Sequence, residues 1–397
     1  MKLNNGNTLL GLHKGRGWPS REQKLLLNAS LLSGEEALKS WKRWTDLIDV
    51  NKIDQDSYRL LPLAVHNLKK EGIKDPFLKR FGGLKKKTWY KNQILFKTLK
   101  DILLLFHKNR IRTIVLKGAA LIPLYFKDLS IRPQNDVDIL IRPESVSLAS
   151  RMLENSGWKI KGRPKKGLKE ETLDVRSAVT FEKGTISSID LHWHAVKECI
   201  YPEADYDFWK YARPMKINGI DTAVMSPTDQ FYLTCIHASR HQVKWEPLPT
   251  VSWIADCIYI LRGSHNEIDF NRMLAQAQKH NLVFPLWIAL EYLNQEYIGT
   301  SPSVFMNQFR KTKISPFEYK EIRTRQMASP FIGPFILKWY VYRRSIRKEK
   351  NLNYVVKIWG FLKFLQRHYE LPSVSLLPVS LLLKGAKKVR MWLLSND

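Results

Sequence analysis

Apolar positions recur at helical spacing through the first quarter of the chain. Leu25, Leu26, Ala29 and Leu32 mark one helix, Gly34-Glu-Glu-Ala-Leu-Lys-Ser-Trp41 opens a second, and Gln93–Phe106 carries a longer apolar stripe. The period then shortens. Ile111–Leu116 reads as a buried strand, Ala119–Lys127 as a helix and Val137–Ile141 as another apolar strand. Glu144–Ser156 returns to helical spacing, and Gly157 suits its left-handed cap. After a basic loop or hairpin over Lys159–Glu171, Val175–Glu182 and Thr185–His194 alternate with period two around Lys183-Gly184, which predicts a hairpin. Ser226-Pro-Thr-Asp229 is a helix start: serine as cap, proline in the first position, an acid in the first turn. The last third holds a break at Pro330–Pro334, an apolar-aromatic run at Phe335–Tyr342, an amphipathic lysine-bearing stretch at Tyr354–Leu365, an apolar run with two prolines at Leu371–Leu383, and a basic tail.

This order of elements predicts an α+β protein. A mixed sheet-and-helix core over residues 109–225 follows a helical module at 1–108 and precedes a helical module with a basic tail at 226–397. A chain of 397 residues exceeds what one hydrophobic core usually supports, in keeping with such a division. No internal repeat is evident.

The chemistry concentrates where strands are predicted. Side chains on a strand alternate between faces, so Asp136 and Asp138 point one way and Val137, Ile139 and Ile141 the other. Adjacent carboxylates repel unless a cation lies between them, and oxygen ligands suit Mg2+ or Mn2+. The same alternation puts Asp190, His192 and His194 on one face, opposite Ile189, Leu191 and Trp193. If the two strands are neighbours, Asp136, Asp138 and Asp190 form a three-carboxylate cluster able to hold two metals about 3.5–4 Å apart, the arrangement for in-line phosphoryl transfer. The plainer reading of Asp-x-Asp is a turn or cap, where aspartate is common. His237 and His241 stand one helical turn apart without the glutamate of a zinc-protease helix, and packing is their expected role.

Lys117-Gly118, Arg132, Asp136-x-Asp138 and Asp190-Leu-His-Trp193 together resemble the bacterial uncharacterised nucleotidyltransferase family of the DNA polymerase β-like superfamily. Leu60-Leu-Pro-Leu63, Asn67-Leu68, Trp89, Asn92, Gly157-Trp158, Trp253 and Asp256 fit the same resemblance, which extends over roughly residues 20 to 260. It implies a DNA polymerase β-like core and transfer of a nucleoside monophosphate from a nucleoside triphosphate, ATP among the candidates, to a hydroxyl acceptor with release of pyrophosphate. Asp136 and Asp138 would bridge both metals and Asp190 would hold the one nearer the acceptor. Lys117, Gly118 and Arg132 would receive the triphosphate, with a helix start offering backbone N–H groups. His192 would touch phosphate or acceptor, or support Asp190. The superfamily's Gly-Ser turn is Gly118-Ala119 here, so no serine hydroxyl is offered. The acceptor is unspecified: a small molecule, peptide, protein or RNA end. The alternative is a non-catalytic basic adaptor of the same fold that binds nucleotide, RNA or an anionic membrane surface.

Charge sharpens the partners. A net charge of +28 calls for an anionic one, and basic amphipathic segments near the C-terminus suit peripheral contact with an anionic membrane, a packed helical cap being the plainer reading. No secretory signal and no apolar run long enough for a transmembrane segment is read, and three scattered cysteines suit a reducing cytoplasm.

Overall fold

Strands β1 (Thr113–Leu116), β2 (Val137–Ile141), β3 (Lys159–Ile160), β4 (Ala178–Lys183), β5 (Ser187–His192), β6 (Arg213–Ile217) and β7 (Ile220–Val224) join in one mixed sheet, in the order β3-β4-β5-β2-β1-β7-β6. The structure is a computed structural model and describes residues 18–162, 167–168, 170–184, 187–239, 251–297, 303–327, 333–347, 349 and 353–383. Several expectations therefore fall outside the described residues: Thr185 at the hairpin turn, positions 163–166 and 169 of the basic loop, His241, Pro330 of the predicted break, and the basic tail from Lys384.

Helices α1 (Arg21–Leu31), α2 (Gly34–Leu47), α3 (Gln55–Lys70) and α4 (Pro76–Lys108) precede the sheet, and α5 (Lys117–Leu121), α6 (Val146–Asn155) and α7 (Tyr206–Lys210) are interleaved with it. Helices α8 (Pro227–Ser239), α9 (Ser252–Ser264), α10 (Phe270–His280), α11 (Val283–Glu296), α12 (Ser303–Lys311), α13 (Pro316–Met327), α14 (Gly333–Ser345) and α15 (Tyr354–Tyr369) follow it. The fold is α+β, as the sequence pattern predicts.

Local chemistry explains the element ends. Ser20 and Gln23 form a capping box on α1, and the Asp54 side chain accepts from the backbone of Asp56 and Ser57 to start α3. Asp75 caps α4 with Pro76 in the first turn, so this helix begins well before the apolar stripe at Gln93 and runs 33 residues. The Ser226 hydroxyl donates to Asp229 Oδ2 at 2.6 Å and accepts from its backbone N–H, which fixes the start of α8. The hairpin β6–β7 turns at Asn218 (φ 49°) and Gly219 (φ 82°). An Asn-Gly pair between alternating stretches is a strong hairpin signal. The segment read as one helix over Ala119–Lys127 splits: α5 passes at Ile122 into a π-helical turn, Ile122–Phe126, which stops at Lys127 (φ 54°).

Two apolar layers sandwich the sheet. Val115, Val137, Ile139, Ile189 and Leu191 pack with α4 and α6 through Leu99, Phe106, Ala149 and Leu153. Ile114, Leu116 and Leu140, on the other face, pack into a larger cluster shared by α1, α3, α8, α9 and α11. That second face carries the acids.

Candidate active site

The register of the sheet builds the site. β2 and β5 run parallel with Asp138 opposite Asp190 and Leu140 opposite His192, while antiparallel β1 places Leu116 opposite Asp138. One face therefore presents Asp138, Asp190 and His192, whereas Val137, Ile139, Ile189 and Leu191 fill the apolar layer behind. Asp136 lies one residue before β2 and lines the same cavity as Asp138 and Asp190, with a volume of about 360 Å³. Lys117, Gly118 and Arg132 line it too.

Charge around the carboxylates is unevenly compensated. Lys117 Nζ donates to Asp138 Oδ1 at 2.5 Å, and His192 Nε2 stands 2.9 Å from the same oxygen. Burial alone would raise the Asp138 pKa, but Lys117 and His192 outweigh it and hold the carboxyl well below the usual carboxylate range. Burial likewise opposes the charge on Lys117, and Asp138 outweighs it, so the ammonium is held above its ordinary value. Asp136 takes the opposite course. Burial, then repulsion from Asp138 and Asp190, pushes it up to about 6 against the pull of Lys117 and Arg59. The Asp190 carboxylate is fixed by the Thr180 hydroxyl, which donates to Oδ1 at 2.6 Å across the β4–β5 hairpin.

A glycine is required at the turn. A Cβ on Gly118 would overlap the Arg132 guanidinium and stand 2.5 Å from Gln134 Oε1. Lys117 itself has φ 47°, a left-handed conformation costly for a lysine, at the point where β1 becomes α5. Helix α5 is five residues long and has no side-chain cap, so any helix-dipole field at this turn is that of little more than one turn. Arg132 is held from behind: its Nε and Nη2 donate to Asp256 Oδ1 and Oδ2 at 2.6 and 2.7 Å, and Asn92 Nδ2 donates to its carbonyl at 2.9 Å.

A protein-family model for uncharacterised nucleotidyltransferases matches residues 48–297. The chain belongs to that nucleotidyltransferase family. No curated protein matches the sequence. Among solved structures, the antibiotic-resistance factor ANT(2'')-Ia is similar at 13% identity and a TM-score of 0.33, over 52% of this chain and 100% of that one. An antigenic nucleotidyltransferase-like protein from Paracoccidioides brasiliensis is similar at 17% identity and a TM-score of 0.33, over 57% and 94% of the two chains.

In this member of the family the seven residues singled out by sequence, Lys117, Gly118, Arg132, Asp136, Asp138, Asp190 and His192, meet around one cavity edge, six as lining and His192 through Asp138. His194 does not join them. The chain leaves the β-ladder after His192, and His194 Nδ1 turns to Asp205 Oδ2 at 2.6 Å. His237 lies on the cavity wall.

Several cavity residues had no readable role in sequence. Gln134 is 3% exposed, and neither its amide oxygen nor its nitrogen has a partner. Arg59 Nε, Gln230 Oε1 and Trp253 Nε1 are also buried without partners on the same wall. Buried polar atoms left unsatisfied each cost about 1–3 kcal/mol, and these five atoms share one cavity. Trp253 and Asp256 entered only as part of the family resemblance, and the fold sets Asp256 against Arg132.

Proposed function

We propose that this chain transfers a nucleoside monophosphate from a nucleoside triphosphate to a hydroxyl acceptor and releases pyrophosphate. The carrying observation is the β2–β5 register, which sets Asp138 beside Asp190 at the cavity edge that Lys117, Gly118 and Arg132 share.

The donor set suits a divalent cation. Asp138, Asp190 and His192 each offer one ligand atom, and these atoms lie within 4.8 Å of one another. Asp136, raised by burial and then by its carboxylate neighbours, supplies the further negative charge that a cation would neutralise. Carboxylate oxygens with one imidazole nitrogen accommodate Mg2+ or Mn2+. When bound, the metal supplies Lewis-acid stabilisation of phosphate charge and lowers the pKa of the acceptor hydroxyl.

The chain's own groups do the rest. Lys117 pairs with a phosphate oxygen as a point charge. Arg132, braced by Asp256, turns its remaining guanidinium nitrogen, Nη1, toward Gly118, where the phosphates are received. The absent side chain at Gly118 leaves room for that approach. Thr180 holds Asp190 Oδ1 so that Oδ2 receives the proton of the acceptor hydroxyl. The acceptor oxygen bonds to the α-phosphorus as the bond to the bridging oxygen breaks, and pyrophosphate leaves. We place the acceptor, a small molecule, peptide, protein or RNA end, on the wall formed by α8 and α9, where Gln230 and Trp253 have unmet hydrogen-bonding capacity.

Asp138→Asn should lower pyrophosphate release by about a thousandfold with Mg2+ and a labelled triphosphate, while circular dichroism reports an intact fold. Asp190→Asn should retain most triphosphate binding and lose transfer. Wild-type turnover in either variant would remove this assignment, and triphosphate binding without turnover by the native chain would favour the adaptor reading.

A further inference from the structure

The C-terminal helices carry a surface that the nucleotidyl-transfer site does not use. Helix α15 buries Phe361, Phe364 and Leu365 against Tyr342 of α14, and that inward face is well packed. Its outward face is also apolar. Val355 is 70% exposed, Val356 48% and Trp359 51%. Val355, Trp359, Lys363 and Arg367 follow at intervals of four and so form one stripe, apolar in the first half and basic in the second. Lys363 Nζ stands 5.7 Å from the Trp359 ring, which puts the charge beside the apolar side chain. Arg367 is shared only loosely with Asp174, at 3.5 Å. Farther along the chain Val379, Leu382 and Leu383 are exposed as well. By sequence, positions 351–397 hold seven lysines and arginines against two acids, Glu370 and Asp397.

Single exposed apolar side chains are ordinary, but a tryptophan and two valines on one helix face, bordered by the cations Lys363 and Arg367, are not. The charge selects an anionic partner. A nucleic acid would use the cations and gain little from Val355 or Val356. A bilayer with anionic headgroups uses both halves, since the apolar side chains enter the interface and the cations reach the phosphates. Among the described residues no helix is long and apolar enough to cross a membrane, so such contact is peripheral.

We propose that the outward face of α15 docks on an anionic lipid surface, with Val355 and Trp359 entering the headgroup region and Lys363 and Arg367 pairing with lipid phosphates. The test is co-sedimentation of the full chain with phosphatidylcholine vesicles, with and without phosphatidylglycerol, at low and high salt. Binding should require phosphatidylglycerol and weaken with salt. Trp359→Glu should reduce partitioning by about tenfold or more, and Lys363→Ala by about fivefold. Both residues are exposed, so melting temperature and pyrophosphate release without vesicles should be unchanged. Equal binding to both vesicle types, binding to neither, or indifference to Trp359→Glu overturns the proposal. So does salt-sensitive retention on single-stranded RNA that needs Lys363 but not Trp359, which would assign the face to nucleic acid.

Discussion

Two of the buried arginine–carboxylate pairs among the described residues differ in what surrounds them. Arg344 and Glu321 join α14 to α13, with side chains 2% and 3% exposed. Arg344 donates to both carboxylate oxygens of Glu321, and its Nε and Nη2 also donate to the carbonyls of His280 and Asn281, each at 3.2 Å. Every guanidinium nitrogen is used. Arg132 and Asp256 make an equally direct bidentate pair, but beside a cavity, with Nη1 against Gly118 and with unpartnered polar atoms on Gln134, Arg59, Gln230 and Trp253 on the same wall. Burial of an ion pair by itself therefore marks architecture here. Glu318, beside the Arg344–Glu321 pair, also has an unpartnered buried oxygen, so what sets the Arg132 pair apart is the cavity that it lines.

The sharpest way to break this contrast is to remove each arginine. Arg344→Ala leaves Glu321 buried and uncompensated, and should cost about 3–5 kcal/mol of folding stability in denaturant titrations. The variant that remains folded should turn over normally. Arg132→Ala should lose less stability, because water in the cavity can reach Asp256, but should lower kcat/KM for the triphosphate by about a hundredfold. Equal stability losses with unchanged kinetics would make Arg132 a second structural pair.

A smaller effect probes the cradle. Gly118→Ala forces the Arg132 guanidinium and the Gln134 amide to move, and should weaken triphosphate affinity by about tenfold, read by titration calorimetry. Unchanged affinity would mean that the close approach at Gly118 serves packing alone.

An effect of similar size concerns protons. Asp136, with a pKa of about 6, is ionised at neutral pH and protonated below that value. A cation binds the ionised carboxylate, so acid competes with it. Mn2+ affinity should fall by about tenfold or more from about pH 8 to about pH 5, and Asp136→Asn should make that dependence shallower. Asp138, held well below the usual range, contributes nothing to this window.

Much of the acidic face was legible from sequence because strand alternation is a local rule. Once Val137–Ile141 and Ser187–His192 are strands, the faces of Asp138, Asp190 and His192 follow from period two, as do the buried positions of Ile139, Ile189 and Leu191. The α8 start at Ser226 and the cap at Gly157 (φ 84°) were equally local. The Asn218-Gly219 turn is local in the same way. His194 shows where the rule stops: the strand ends at His192, and an aspartate eleven residues on takes the imidazole.

What the chain alone determined was which side chains share a face, since covalent geometry fixes that over a few residues. It also determined a strongly cationic surface. Only the tertiary structure decided that β2 lies parallel to β5 in the register that pairs Asp138 with Asp190, that Arg132 meets Asp256 across 124 positions of sequence, and that Arg59, Gln134 and Trp253 wall one cavity. Those placements come from packing two apolar layers on opposite faces of one sheet, a balance summed over the whole molecule that no short stretch of residues encodes.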